Sequence, residues 1–560
     1  MSTNTQQTRK VIEVERTQWE KHIEGSFITQ EQYDRLPEEE KSDAFTGTLA
    51  FGTAGIRGKI GLGPNRLNRY TVEKVALGIA HSLKDHDGPL VVIGYDTRHF
   101  SPEFAQAMTS VLAANNVSVK LSKQYISTPE LSFHVREHDA DLGVMITASH
   151  NPPEYNGIKV YGPDGAQLID RPASLLSDKI NAIEDIFNIT STPFEEALEN
   201  GDAGYISTEM EEHYKQKITA FIPGIPKSDL KVVFTSLHGT SVPIVPELLD
   251  TLGFNGYQLV EEQCRPDGDF PSVESPNPEN ESAFEGARTL GSKNEADLLI
   301  ATDPDADRIG VQVLHNGEYV HLNGNQLGIL LLNHRLDNHD GPSPVVIKSI
   351  VTSDLGRKIA EDKGAEMIEV LTGFKYIGEQ IKLLEDNPEK QFIFGYEESY
   401  GFLLEPFVRD KDAIQIVPYL VSMASALKNE GRTLVDVLES IYETYGRRME
   451  VLFSHTFEGT SGKEEINEIM RQFRTNTPKK LDRREVIMSE DFKTQTRTYQ
   501  DGRTEKIELP QADVIKIHFA DGWIALRPSG TEPKIKLYAS LDSEHIEQEA
   551  KFINDMIFGV

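Results

Sequence analysis

Cysteine is almost missing from this sequence. Cys264 is the single one in 560 residues, so no intrachain disulfide can form, and the composition fits a reducing compartment. Positive charge is also scarce: 57 Lys and Arg stand against 89 Asp and Glu, a formal net charge of −32. An acidic surface repels phosphodiester backbones and anionic headgroups, which argues against nucleic-acid and membrane-surface partners. No apolar run approaches the roughly 18 residues of a membrane span. The first ten residues, MSTNTQQTRK, lack the apolar core of a secretory signal. These absences lead to the expectation of a cytoplasmic protein. Low-complexity tracts are absent as well. With 38 % hydrophobic and 8 % aromatic residues, the chain has material for real cores. At roughly 150 residues per domain, the length corresponds to three or four domains.

What is present is a pattern repeated three times: a β-rich run, a helical segment, a short strand, then a strand that ends in a polar loop. The first copy opens with LVVIGYDTR and closes with ADLGVMITASHNPP. The second opens with KVVFTSLHG and closes with ADLLIATDPDADR; the third opens with PVVIKSIVTS and closes with KQFIFGYEESYG. Near-continuous apolar strands alternating with helices predict parallel or mixed sheets covered on both faces. The closing loops then lie at the carboxyl ends of strands, where ligands sit in open α/β sheets. After about Gly431 the pattern changes. VIKIHFADGWIALRPSGTEPKIKLYAS alternates like strands, and EHIEQEAKFINDMIF reads as a helix. The expected fold is α/β: three similar α/β domains plus a smaller C-terminal α+β domain around a central cleft. The expected bounds are 1–205, with an N-terminal helical extension, then 206–318, 319–430 and 431–560. The Pro-rich stretch Cys264–Asn280 reads as a long loop.

Five loops carry chemistry. In TASHNPPEYNGIK, the prolines stiffen a turn that holds the Ser149 hydroxyl at a sheet edge. A positioned hydroxyl can accept a group covalently, although S-H-N-P taken alone reads more readily as a polar turn. The G-x-S-x-G of a hydrolase elbow is absent. In DPDADR, Asp303, Asp305 and Asp307 alternate, and in extended backbone all three would share one side. Like charges that close raise one another's pKa unless a cation intervenes, and oxygen ligands suit a hard cation such as Mg²⁺. An EF-hand is excluded, because Arg308 stands where that loop needs Gly and Leu314 where it needs Glu. Arg308 can clamp a phosphate oxygen beside the cation. In GYEESYG, Glu397 and Ser399 can bond vicinal sugar hydroxyls, and VRDKDA sets Lys411 between two aspartates. RPSGTEPKIK combines Arg527, Ser529, Gly530 and Thr531, a mixture able to cradle a phosphate. FGTAGIRGKI, with Arg57, approaches a P-loop but has Ile60 where Ser or Thr is required, so a nucleoside-triphosphate site is not expected there.

The ordered set GTAGIRG, TASHNPPEYNGIKVY, DPDADR, TGFK, GYEESYG, RDKD and RPSGTEPK resembles the α-D-phosphohexomutase superfamily, from about Leu49 to Tyr538. The resemblance implies that Ser149 is a phosphoserine that donates and recovers a phosphoryl group. Asp303, Asp305 and Asp307 would hold Mg²⁺ with a Ser149 oxygen. Arg57, His150, Lys159 and Arg308 would surround the transferring group, with Lys159 and Lys411 as general acid and base. Thr372, Glu397 and Ser399 would face the sugar. Arg527, Ser529, Gly530 and Thr531 would hold the other phosphate. The implied reaction interconverts glucose 1-phosphate and glucose 6-phosphate through glucose 1,6-bisphosphate, in a monomer or small homo-oligomer. The spellings DPDADR and GYEESYG, where many members have Gly for Pro304 and Ala306, resemble the branch holding certain bacterial α-phosphoglucomutases, phosphopentomutases and glucose-1,6-bisphosphate synthases. Pentose phosphates, mannose phosphates and net bisphosphate synthesis are therefore the alternatives. A non-catalytic sugar-phosphate sensor is disfavoured because every loop of the set is present.

Overall fold

A computed structural model describes residues 13–52, 55–222, 224–457, 462–529, 534–543 and 545–559. The chain divides into two compact units. The first comprises Met1–Asn323, Gly378–Asp386 and Tyr400–Thr433, and the second Gly324–Ile377, Asn387–Ser399 and Leu434–Val560. Among the described residues, no helix is long and apolar enough to cross a membrane.

The first unit holds two mixed sheets. One has the strands β1 (Ile56–Lys59), β2 (Leu90–Tyr95), β3 (Ser118–Leu121), β4 (Leu142–Ile146), β5 (Tyr155–Tyr161) and β6 (Ala203–Tyr205), in the order β1-β5-β4-β2-β3-β6. Strands β4, β2, β3 and β6 are parallel, whereas β5 returns antiparallel on β4 and β1 antiparallel on β5. Val91, Ile93, Val144 and Ile146 are fully buried, because helices cover both faces and leave no position for the polar half of an alternating pattern. The helix-prone N-terminal stretch also joins a core: Trp19, Tyr33 and Phe45 pack with Leu62 and Tyr70.

The other sheet has β7 (Val232–Thr235), β8 (Tyr257–Leu259), β9 (Leu298–Thr302), β10 (Ile309–His315) and β11 (Glu318–Leu322), in the order β11-β10-β9-β7-β8. Its last two strands form antiparallel hairpins that the sequence pattern did not reveal. The segment Cys264–Asn280 is free of helix and strand, as expected.

Helix Ala413–Asn429 of this unit is capped by buried Asp412, which accepts from the Gln415 N–H at 2.9 Å and the Tyr214 hydroxyl at 2.9 Å. Burial pushes the Asp412 carboxyl up to about 7. Its folded-state pKa thus lies above the unfolded value, so its contribution to stability is lost as pH rises through about 7. Asp412→Asn keeps an acceptor for Gln415 but cannot ionise. Its melting temperature relative to wild type is expected to be higher at about pH 8 than at about pH 5.5. A difference that stays constant across that range would show that Asp412 does not titrate there.

The second unit contains a parallel sheet of β12 (Ser343–Ser349), β13 (Glu366–Val370) and β14 (Lys390–Glu397), with β12 central. Its C-terminal part is an antiparallel sheet that includes Met449–Thr456, Ile515–Phe519, Gly522–Pro528 and Lys534–Leu541, covered by helices Gly462–Thr475 and Ile546–Phe558. The α/β plan with an α+β C-terminal part therefore holds. Leu526, Leu537 and Ala539 are buried in the core that the helices share, and Trp523, Ala525 and Tyr538 are buried in a second core, so both side-chain sets of these strands are covered.

Candidate active site

Ser149 lies in the connection from β4 to β5, with its backbone left-handed at φ +53. Thr147 Oγ1 accepts the Ser149 N–H at 2.8 Å, an ST turn that fixes this unusual conformation. Ser149 Oγ donates to Asp303 Oδ2 at 2.7 Å and stands 3.2 Å from His150 Nδ1. Burial, then the nearby Arg308 and Arg57, holds His150 well below the usual imidazole range, so the ring is neutral.

The aspartate triplet follows β9. The backbone here is a turn and not the extended run that the alternation suggested. Ala306 is left-handed at φ +54, its N–H bonds Asp303 O at 2.9 Å, and the Arg308 N–H bonds Asp303 Oδ1 at 2.9 Å. The three carboxylates still converge, each offering one oxygen with all of these within 4.8 Å of one another. All three side chains are buried, and Asp305 Oδ1 and Asp307 Oδ1 have no hydrogen-bond partner. Buried, unpartnered carboxylate oxygens of this kind are what a hard cation requires, and the donor set fits a metal ion.

Two ammonium groups complete the cluster. Lys159 Nζ, carried by β5, donates to Asp305 Oδ2 at 2.8 Å and Asp307 Oδ2 at 3.2 Å. Lys411 Nζ lies 3.2 Å from Asp307 Oδ2 and 2.9 Å from Asp410 Oδ1. It is 12 % exposed, so the RDKD segment is not the surface ion pair that it resembles in isolation. A Cβ at Gly401 would fall 2.1 Å from Lys411 Cδ, so only glycine there lets Lys411 pass. Burial lowers the Lys159 pKa, but Asp305 and Asp307 outweigh it and keep the ammonium protonated. Burial and the two neighbouring aspartates drive Asp303 well above the carboxylate range, against the opposing pull of Arg308 and the Ser149 hydroxyl. Burial also opposes ionisation at Asp307, yet Lys411 and Lys159 hold that carboxyl below its ordinary value. Arg57 donates to Asn151 Oδ1 at 3.1 Å, and Arg308 pairs with Glu279. The first unit thus brings Arg57, Ser149, His150, Lys159, the three aspartates, Arg308 and Lys411 into one neighbourhood.

In the second unit, β14 ends at Glu397, whose Oε1 accepts the Gly373 N–H at 2.7 Å. That bond places Glu397 beside Thr372, whose buried hydroxyl has no hydrogen-bond partner. Ser399 occupies the turn that follows and is half-buried. Arg527 donates to the Tyr538 hydroxyl, whose ionisation is suppressed by burial and then by Glu398. Ser529 ends the same stretch, and its N–H bonds Lys534 O at 2.7 Å. Gly530 and Thr531 lie outside the described residues.

Several residues of the first-unit cluster were missed by sequence reasoning. Thr128 Oγ1 donates to Asp305 Oδ2 at 2.7 Å, Tyr161 donates to Asp410 at 2.8 Å, Glu279 faces Arg308, and Arg98 holds the Ser149 loop. Thr128 and Tyr161 had no signal beyond belonging to a helix start and a strand. Arg98 had one, the D-T-R that follows the buried strand β2.

Four family models match in chain order. The phosphoglucomutase/phosphomannomutase α/β/α domains I, II and III match residues 48–187, 212–316 and 323–445, and the C-terminal domain of the same family matches 463–556. The chain belongs to the phosphoglucomutase/phosphomannomutase family. A Staphylococcus epidermidis phosphoglucomutase is 52 % identical over 95 % of this chain and 97 % of its own. A Staphylococcus aureus phosphoglucomutase is 50 % identical over 94 % and 95 %. Among solved structures, the Paramecium phosphoglucomutase pp63/parafusin shares the fold at a TM-score of 0.66 with 19 % identity, covering 92 % of this chain and 97 % of that one. The family membership corresponds to the superfamily expected from the ordered loop set.

Proposed function

We propose that this family member is a phosphoglucomutase, an isomerase-class intramolecular phosphotransferase that interconverts glucose 1-phosphate and glucose 6-phosphate through glucose 1,6-bisphosphate. The observation that carries the reading is the 2.7 Å bond from Ser149 Oγ to Asp303 inside a buried triplet flanked by two lysines. A hydroxyl in that position is built to carry a phosphoryl group. Relatives named phosphoglucomutase at 52 % and 50 % identity support glucose as the sugar.

In this reading Ser149 gives its phosphoryl group to one sugar hydroxyl, the bisphosphate turns over, and Ser149 recovers the other phosphoryl. Mg²⁺, which Asp303, Asp305 and Asp307 would hold together with the phosphorylated Ser149, would neutralise charge on the transferring group. Lys159, as an ammonium, neutralises phosphoryl oxygens together with Arg57 and Arg308, and neutral His150 offers a hydrogen bond without adding charge. Lys411 and Lys159 exchange the proton of the accepting or leaving sugar oxygen. Thr372, Glu397 and Ser399 orient sugar hydroxyls. Arg527, Ser529, Gly530 and Thr531 hold the phosphate that is not transferring, in either substrate orientation. We assign domain bounds of 1–205, 206–318, 319–430 and 431–560, a cytoplasmic location, and a monomer or small homo-oligomer as the working form.

The test supplies glucose 1-phosphate, Mg²⁺ and a trace of glucose 1,6-bisphosphate, and measures glucose 6-phosphate. Mannose 1-phosphate and ribose 1-phosphate run in parallel. Glucose is expected to give the highest kcat/KM. Faster turnover of ribose 1-phosphate would reassign the chain as a phosphopentomutase. Net accumulation of the bisphosphate would make it a synthase.

A further inference from the structure

Arg98 is 1 % exposed, and both terminal nitrogens of its guanidinium donate to backbone oxygens. Nη2 donates to Ser149 O at 2.6 Å and to Asn151 O. Nη1 donates to Pro152 O at 2.9 Å and Tyr155 O at 3.0 Å, and Nε faces Asp96 Oδ2 at 3.4 Å. Asp96 is itself fixed, since its Oδ1 accepts the Arg98 N–H and the Ser101 hydroxyl, each at 3.0 Å.

The chain that Arg98 binds makes few bonds of its own, the Asn151 N–H to Ala148 O and the Tyr155 N–H to Pro152 O among them. Pro152 and Pro153 have no N–H, which leaves the carbonyls of the 149–155 turn short of internal donors. One planar fork supplies four of them from inside. The Phe270 ring lies 4.9 Å from Arg98 Cζ. Phe270 belongs to the Pro-rich loop Cys264–Asn280, which also carries Glu279, the partner of Arg308. That loop is pinned beside β2 as well: His99 Nε2 lies 2.7 Å from Asp269 Oδ1, and His238, whose carbonyl accepts from Thr97 Oγ1 at 2.9 Å, has its Nε2 2.7 Å from Ser272 Oγ of the loop.

We propose that Arg98 is a positioning residue for phosphoryl transfer, the template on which the Ser149 loop is laid, with Phe270 of the Pro-rich loop holding the guanidinium in place. The proposal rests on the reading of Ser149 as the phosphoryl carrier. Because Arg98 grips the carbonyl of Ser149 itself, it sets the direction of the Ser149 side chain toward Asp303. In-line transfer is sensitive to such placement, and a shift of about 1 Å costs on the order of 10²-fold in rate. Lysine carries the same charge but has three donors on a point and no plane, so it cannot hold four carbonyls at once.

Arg98→Lys is expected to lower kcat about 10²-fold with KM changed less than about threefold. Amide hydrogen exchange in a peptide spanning 147–156 is expected to speed up, while peptides from β7 and β9 stay as in wild type. Phe270→Leu is expected to lower kcat about fivefold in the same pattern. An Arg98→Lys protein that melts earlier but keeps wild-type kcat per folded molecule would overturn the proposal and leave Arg98 a purely structural residue. If Arg98→Lys does not fold, Phe270→Leu decides: unchanged kcat and unchanged exchange over 147–156 overturn the proposal. If the wild type itself turns over no sugar phosphate, the functional reading fails, and the exchange measurement alone judges the clamp, with unchanged protection in Arg98→Lys overturning it.

Discussion

Ser149→Ala is expected to lower kcat by about 10⁴-fold or more and to leave the melting temperature near that of wild type. The substitution removes one oxygen and the bonds it makes to Asp303 and His150. It keeps what shapes the turn: the Ser149 N–H bonded to Thr147 and the carbonyl bonded to Arg98. Loss of the acceptor oxygen is therefore separable from loss of the loop. Intact-mass measurement after incubation with glucose 1,6-bisphosphate supplies the second readout, with one phosphoryl group expected on wild type and none on the variant. Activity retained within tenfold of wild type would remove Ser149 from the mechanism, and retained biological activity without turnover would favour a sensor.

Asp307→Asn is expected to lower kcat about 10³-fold and to weaken Mg²⁺ binding measured directly by calorimetry. Asp307 is the carboxylate that Lys159 and Lys411 share, each at 3.2 Å, and Arg308 Nε lies 3.8 Å from its other oxygen. A neutral amide leaves those cations without their common counter-charge and takes one ligand from the triplet. Chelation of wild type by EDTA is expected to abolish turnover, and added Mg²⁺ to restore it. An enzyme indifferent to EDTA, with Asp307→Asn within tenfold of wild type, would show that the triplet holds no metal during turnover.

Much of this architecture can be read along the chain. The runs LVVIGY, KVVFT and PVVIKS become β2, β7 and β12 because strands buried on both faces must be apolar at every position. Ser149, the aspartate triplet and Lys411 were found because each is a dense local cluster of chemical groups in a loop. The antiparallel returns β5, β10 and β11 were not found, since runs such as YNGIKVY do not announce the direction in which they will pair. The triplet converges as the alternation suggested, but through a different geometry. Alternation in an extended strand would align the carboxylates, but a turn with Ala306 at φ +54 aims them instead.

The sequence by itself determined the family, the α/β plan, and the residues proposed to hold a phosphoryl group and a cation, because those are carried by short motifs in fixed order. Only the tertiary structure decided which charges meet. It makes Lys411 a half-buried partner of Asp307, pairs Glu279 with Arg308, and turns Arg98, 51 positions from Ser149, into the support of its loop. The physical reason is range. A motif records what neighbours in the chain can do, whereas a guanidinium finds its four carbonyls only after two strands and a proline-rich loop have packed around it.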